Sequence, residues 1–239
     1  MTTGTIRGVL IGVLSTAAAL GPGSAHAAGV SGQGTWETTL LPRDLDGNVV
    51  NGPEAFYDTA LNITWLRNAN AVGGTSSHGA AAWANSLVIG GVGGWRLPEM
   101  LDTGLPGCNL SNFGTDCGNN VRTAGNELAH LWHVTLGNKS FFDTLGNGPQ
   151  PGWSVSNDGG FQYMQKYGYW YGTPYAPDLS DSWFFDTGMG SQNHVGNGSP
   201  LFVIAVRSGD VAAIPEPQTY AMMLLGIGGL LLAVRRRQV

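Results

Sequence analysis

Two apolar segments bracket this chain, and only what lies between them can fold as a core in water. Near the C-terminus, Pro215-Glu216-Pro217 leads into an apolar run from Tyr220 to Val234, and Arg235-Arg236-Arg237 follows at once. The run alone is 15 residues long, short of the ~20 that cross a bilayer. Counting back into the polar flank makes residues 215–234 a transmembrane span. Basic flanks resist translocation, so the three arginines stay in the cytoplasm and the rest of the chain lies outside. At the other end, Arg7 is the only charged residue among the first 36. Val9 to Leu20 is apolar, and Gly21-Pro22-Gly23 and Ala25-His26-Ala27 follow. A basic start, a short apolar core, a helix breaker and a small-x-small site make residues 1–27 a secretory signal peptide.

The tail resembles the PEP-CTERM class of bacterial exported proteins, on Pro215, Glu216 and Pro217, the span to Val234, and Arg235, Arg236 and Arg237. The resemblance makes residues 210–239 a sorting signal. It implies a Gram-negative envelope protein whose tail is recognised and removed by an exosortase, a membrane-bound processing enzyme. The protein would sit in the inner membrane transiently, then at the cell surface or in the extracellular matrix. Such proteins accompany exopolysaccharide and biofilm production. On the residues alone, a plain C-terminal membrane anchor is the alternative.

Residues 28–213 remain to fold, a length that suits one domain. They carry seven Lys and Arg against fifteen Asp and Glu, a net charge of about −8. Such a surface repels nucleic acid and other anionic polymers. Only 11% of the chain is charged and 38 residues are glycine, which points to short strands and long loops. The two cysteines, Cys108 and Cys117, are nine apart in a Gly/Asn-rich stretch. An even, local pair in an exported chain reads as a disulfide.

Local patterns place a few elements. Ile63-Thr64-Trp65-Leu66 has strand composition. His78 to Leu87 is Ala-rich and helical, ended by Gly90-Gly91. Arg122 to Leu136 puts Leu128, Leu131, Trp132 and Thr135 at i, i+3, i+4 and i+7, one apolar helical face stopped by Gly137-Asn138. Leu201 to Val206 is an apolar run of strand length. Phe141 to Asp181 is punctuated by Gly, Pro and Asn and reads as loop, with a short strand at Tyr167 to Tyr171.

Residues 54–209 resemble the bacterial Lcl C-terminal-domain family. The resemblance rests on Thr64-Trp65-Leu66-Arg67-Asn68-Ala69-Asn70, on Trp95-Arg96-Leu97-Pro98, and more loosely on Tyr169-Trp170-Tyr171-Gly172-Thr173 and Val206-Arg207. Tyr171-Gly172 stands where two serines are usual, and Ala205 replaces a proline. The resemblance implies an α+β, C-type-lectin-like mixed fold: two helices, short antiparallel strands and long loops. Residues 28–53 are then an N-terminal leader or a first strand.

Several residues are candidates for chemistry. Arg96 reads first as half of a structural ion pair, with Glu99 or a distant Asp, and second as a ligand contact. Asp44, Asp46 and Asn48 alternate oxygen-bearing side chains beside Gly47. They suit Ca²⁺ or, equally as a sequence pattern, an Asx-rich turn. Glu54 comes too early for an EF-hand. His130 and His133 share a helical face that zinc could use, with no third ligand nearby in sequence. No nucleophile elbow, phosphate loop or His-Glu-x-x-His motif is present, so a non-enzymatic role is expected. The strongest binding signal is aromatic. Trp153, Tyr163, Tyr169, Trp170 and Trp183, among Asn, Asp and Gln residues, resemble the stacking faces that hold sugar rings. The expected function is therefore binding of extracellular polysaccharide or another glycan. A structural or adhesive matrix protein and an exopolysaccharide hydrolase are the alternatives from other classes.

Overall fold

Short strands and a few short helices carry the regular structure in the computed structural model, which describes residues 29–104 and 108–211. The expected signal peptide, the expected transmembrane span 215–234 and the sorting residues Pro215 to Arg237 lie outside those residues. In chain order the elements are α1 (Trp36–Thr39), β1 (Leu40–Arg43), β2 (Ala55–Asp58), β3 (Ile63–Leu66) and α2 (Ser77–Ser86). Then come β4 (Gly118–Asn119), α3 (Glu127–His130) running into a π-helical turn (Leu131–Thr135), β5 (Gly168–Pro174), β6 (Asp181–Asp186), β7 (Ser191–Gly196) and β8 (Val206–Ser208). The strands form two four-stranded antiparallel sheets, ordered β1-β2-β3-β8 and β4-β7-β6-β5. The architecture is mixed α+β.

The strand expected at Ile63 to Leu66 is β3. The segment before residue 54 supplies β1, which pairs with β2 from Leu40↔Asp58 to Arg43↔Ala55. The Ala-rich helix is α2; the Ser76 hydroxyl accepts from the Gly79 N–H at 3.2 Å and caps it.

Two expectations need correction. The helix expected from Arg122 starts only at Glu127. Gly125 has a φ of 79°. The Asn126 side chain is engaged elsewhere, accepting from the Leu101 N–H and donating to the Arg122 carbonyl. Its last turn widens, with the Leu136 N–H reaching back five residues to the Leu131 carbonyl at 2.8 Å. Leu128, Leu131, Trp132 and Thr135 are all buried, as their spacing requires.

The run from Leu201 to Val206 is buried except for the half-buried Phe202, but it is not one strand. Its backbone bonds go to different partners: Leu201 to Thr75, Phe202 to Gly168 and Trp170, Ala205 to Leu66, Val206 to Arg96. It is a connector between the sheets, and its apolar character reflects burial, not pairing.

Two apolar clusters lie on opposite faces of the same strands. Trp65, Tyr169, Tyr171, Trp183 and Phe185 enter one, with Leu128, Leu131 and Trp132. Leu66, Trp170 and Phe184 enter the other, with Ala80, Ala84, Trp95, Leu97 and Val203. Successive strand residues point to opposite faces. A strand flanked by packing on both sides therefore has no polar face and shows no alternation in its sequence.

Candidate functional site

Arg67 follows β3 directly and is 3% exposed. Its backbone is held on two sides. The Arg67 N–H donates to the Glu54 carbonyl at 2.8 Å, and the Arg67 carbonyl accepts from the Gln162 N–H at 2.9 Å. Asn68 and Gln162 form a parallel bridge, and the Ala69 N–H donates to the Gln162 carbonyl. Three segments distant in sequence therefore meet beside β3: residues 51–54, 66–68 and the loop at 162. With Ile89 they enclose a cleft of about 340 Å³, lined by Asn51, Glu54, Arg67, Asn68 and Gln162 among others. Its polar groups are amides, one carboxylate and one guanidinium, beside the apolar Pro53, Leu66 and Ile89.

The guanidinium is only partly satisfied. Nε donates to the Gly160 carbonyl at 3.2 Å and Nη1 to the Pro53 carbonyl at 3.1 Å. Among the described residues, Nη2 makes no hydrogen bond and no carboxylate lies within ion-pair distance. Burial pulls the Arg67 pKa below the ordinary arginine value, while the charge of Glu54 pushes it back up. The group stays cationic, as arginine does in proteins.

A second cleft, of about 190 Å³, is lined by Ser77, His78, Tyr171, Ser182 and Asn197 among others. Its polar groups satisfy each other: the Ser77 and Ser182 hydroxyls both donate to the Asn197 side-chain oxygen, at 3.1 and 2.6 Å. It leaves less unused hydrogen-bonding capacity for a ligand than the Arg67 cleft does.

The acidic turn adjoins the first cleft through Glu54. Ligand atoms of Asp44, Asp46 and Glu54 lie within 4.8 Å of one another. Each carboxylate also has a local role. Asp44 accepts from Gly47 N–H, Asp46 from Asn48 N–H and Asn51 Nδ2, and Glu54 from Leu45 N–H. Asn48 accepts from the Val50 N–H. The Asx-turn pattern is thus present. Glu54, too early in sequence for an EF-hand, takes the third position that Asn48 was expected to fill. The loop brings it there because its N–H is tied to the Arg43 carbonyl at 3.1 Å. Asp44 Oδ2 is buried without a hydrogen-bond partner. Asp44, Asp46 and Glu54 are the residues that could hold a cation.

The aromatic candidates divide. Tyr169 is 2% exposed, and Trp170 and Trp183 are 0% exposed. The Trp170 indole donates to the Thr75 carbonyl at 2.8 Å and the Trp183 indole to Asp102 at 2.9 Å. These three are core side chains, and the stacking role expected of them is corrected by their burial. Trp153 and Tyr163 stand at the surface, 36% and 67% exposed. Trp153 packs edge-on against Phe141. Tyr163 follows the cleft residue Gln162 and has a φ of 59°.

The histidines and cysteines also find places. The Nε2 atoms of His130 and His133 are buried without hydrogen-bond partners. Burial lowers both pKa values, that of His133 to about 4. His194, isolated in sequence, stacks on Tyr175 with ring centres 3.8 Å apart, and its Nδ1 lies 2.7 Å from Asp181. Cys108 and Cys117 are joined in a disulfide.

Arg67 and Glu54 were not singled out from sequence as site residues. The usable signal was the cation in Trp65-Leu66-Arg67 next to a strand with no nearby acid to pair it.

The comparison with protein families decides the tail. A family described as the PEP-CTERM protein-sorting motif matches residues 213–237. The chain carries a PEP-CTERM sorting motif. That motif indicates an exported protein that an exosortase processes. The PEP-CTERM match covers the tail alone and does not reach the cleft. No curated protein and no solved structure matches the chain. Among the described residues, no helix is long and apolar enough to cross a membrane.

Proposed function

We propose that the domain before the PEP-CTERM tail is a non-catalytic module that binds extracellular glycan through the cleft beside β3. The observation that carries this is the lining: Asn51, Glu54, Arg67, Asn68 and Gln162 around a volume of about 340 Å³. Amides and carboxylates are the partners that sugar hydroxyls need, as they both donate and accept. The volume falls within the range of small-ligand sites, and suits one or two sugar units. Tyr163, next to Gln162 and exposed, is the aromatic suited to stack on a ring face.

The sorting signal supports the reading, since an exosortase-processed protein ends its route where surface and matrix polysaccharides are. The resemblance of residues 54–209 to the Lcl C-terminal domain supports it as well, with the C-type-lectin-like fold that the resemblance implies. Ca²⁺ enters as a condition to vary, because Glu54 belongs to both the cleft and the acidic turn.

The test is a glycan array and an exopolysaccharide pull-down with the full chain purified in detergent, with calcium and with chelator. Saturable binding that Asn68→Ala and Gln162→Ala weaken supports the cleft. Binding that survives both substitutions places the ligand elsewhere. No binding in either condition, with self-association instead, moves the function to a structural matrix role. Turnover of the polymer would make the protein a hydrolase.

A further inference from the structure

The cleft contains a cation that no carboxylate of the described residues contacts directly, although the charge of Glu54 in the same cleft acts on it. Burying a cation away from water is costly unless it is paired and hydrogen-bonded. Arg67 is 3% exposed, and its two side-chain hydrogen bonds go to neutral carbonyls, those of Gly160 and Pro53. Three other arginines do pair with acids: Arg43 with Asp210 at 2.7 Å, Arg96 with Glu127 at 2.8 Å, and Arg122 with Asp116 at 3.2 Å. Arg207 donates only to the Gly93 and Asp210 backbone carbonyls, but it is half-buried where Arg67 is buried. The three paired guanidiniums face carboxylates, whereas Arg67, among the described residues, has none within ion-pair distance.

The two carbonyls explain its placement. Through them Arg67 braces the loops at 53 and 160 across the end of β3. They do not explain why a cation is needed, since a neutral donor would serve. Nη2, among the described residues, remains without a hydrogen-bond partner, and a guanidinium nitrogen so left can donate to a carboxylate.

We infer that Arg67 is a carboxylate-recognising subsite, and that the cleft takes a glycan unit bearing a carboxylate, a uronic acid, in preference to its neutral counterpart. This rests on the glycan-binding reading and names the class of sugar. The sugar carboxylate meets Arg67, while Glu54, Asn51, Asn68 and Gln162 meet the hydroxyls. The net charge of about −8 over residues 28–213 opposes a densely charged polyanion. Screening within ~8 Å at physiological salt leaves a contact pair intact. The ligand is therefore a glycan with isolated uronic acids, not a polyuronate.

The test uses three probes on the full chain in detergent: an oligosaccharide ending in glucuronic acid, its methyl ester, and the analogue ending in glucose. The ester keeps the shape and removes the charge, so no variant is needed for this arm. By calorimetry the acid is expected to bind about tenfold tighter than either neutral probe, one charge-assisted pair's worth. Arg67→Gln, shown by its melting curve to be folded, should erase the difference between the acid and the neutral probes, whatever it does to the affinity they share. Arg67→Lys, which keeps the charge, should retain part of it. Equal binding of all three probes to the unaltered protein overturns the carboxylate subsite and leaves glycan binding standing. No binding of any probe overturns both. A preference that persists in a folded Arg67→Gln protein removes Arg67 from the role.

Discussion

Arg96 and Glu127 meet through two parallel hydrogen bonds, Nη1 to Oε2 and Nη2 to Oε1, both 2.8 Å long. The same carboxylate accepts from the Glu99 N–H at 2.7 Å. One glutamate at the start of α3 thereby ties the Trp95-Arg96-Leu97-Pro98 corner to the helix. Glu99, the nearer acid in sequence, lies 4.0 Å away and is 65% exposed. The hydrogen bond to Glu127 is the main reason the Arg96 pKa stands above its ordinary value.

Removing either partner leaves the other half-buried without its forked hydrogen bonds. Glu127→Ala and Arg96→Ala should each cost about 2 kcal/mol. Their double mutant should cost clearly less than the sum. Urea unfolding of the four proteins measures this, and additive losses would mean the fork contributes no coupling.

Trp170→Ala should lower stability by roughly 3–5 kcal/mol, the usual cost of deleting a buried aromatic. The sequence offered Trp170 as part of a sugar-stacking face. Full burial and the bond to Thr75 make it a core residue instead. A melting curve like that of the parent protein would place Trp170 outside the core.

Stability should fall as pH drops from about 6.5 toward 4. His133 has its folded pKa lowered to about 4 by burial, against 6.5 when exposed. Above 6.5 the ring is neutral in both states and its contribution is fully present. As pH falls, the unfolded chain takes up the proton first. Between the two pKa values this favours unfolding by roughly 1.4 kcal/mol for each step of one in pH. His130, whose pKa burial moves in the same direction, adds to the slope. Melting temperatures between pH 7.5 and 4.5 read this effect, and His133→Leu should flatten the slope. An equally steep decline in that variant would assign the loss to other groups.

Reducing the Cys108–Cys117 bridge should loosen its loop without unfolding the domain. A closed loop of this size contributes roughly 2–3 kcal/mol. The loop keeps other anchors: β4 pairs with β7, and Gln192 donates to the Asp116 carbonyl at 2.6 Å. Hydrogen exchange under reductant should speed up between residues 108 and 117 and stay slow in β5 and β6. Exchange rising throughout the domain would make the bridge essential to the fold.

Features that rest on local chemistry were legible in the order of residues. The tail was a pattern of charge and apolar length, and the family match confirms the sorting motif at residues 213–237. Strand β3, helix α2, the buried face of Leu128, Leu131, Trp132 and Thr135, and the disulfide followed from propensity, period and spacing. Whatever depends on which distant segments meet came from the folded chain alone. Tyr169 and Trp170 looked like part of a stacking face because nothing in their order shows that β5 is packed on both faces. Arg67 looked like the end of a strand because its surroundings come from residues 53, 54, 160 and 162. A side chain's neighbours across a sheet or a cleft are set by packing between segments far apart in the chain. Burial and charge pairing are properties of those neighbours, so they became visible only once the chain was folded.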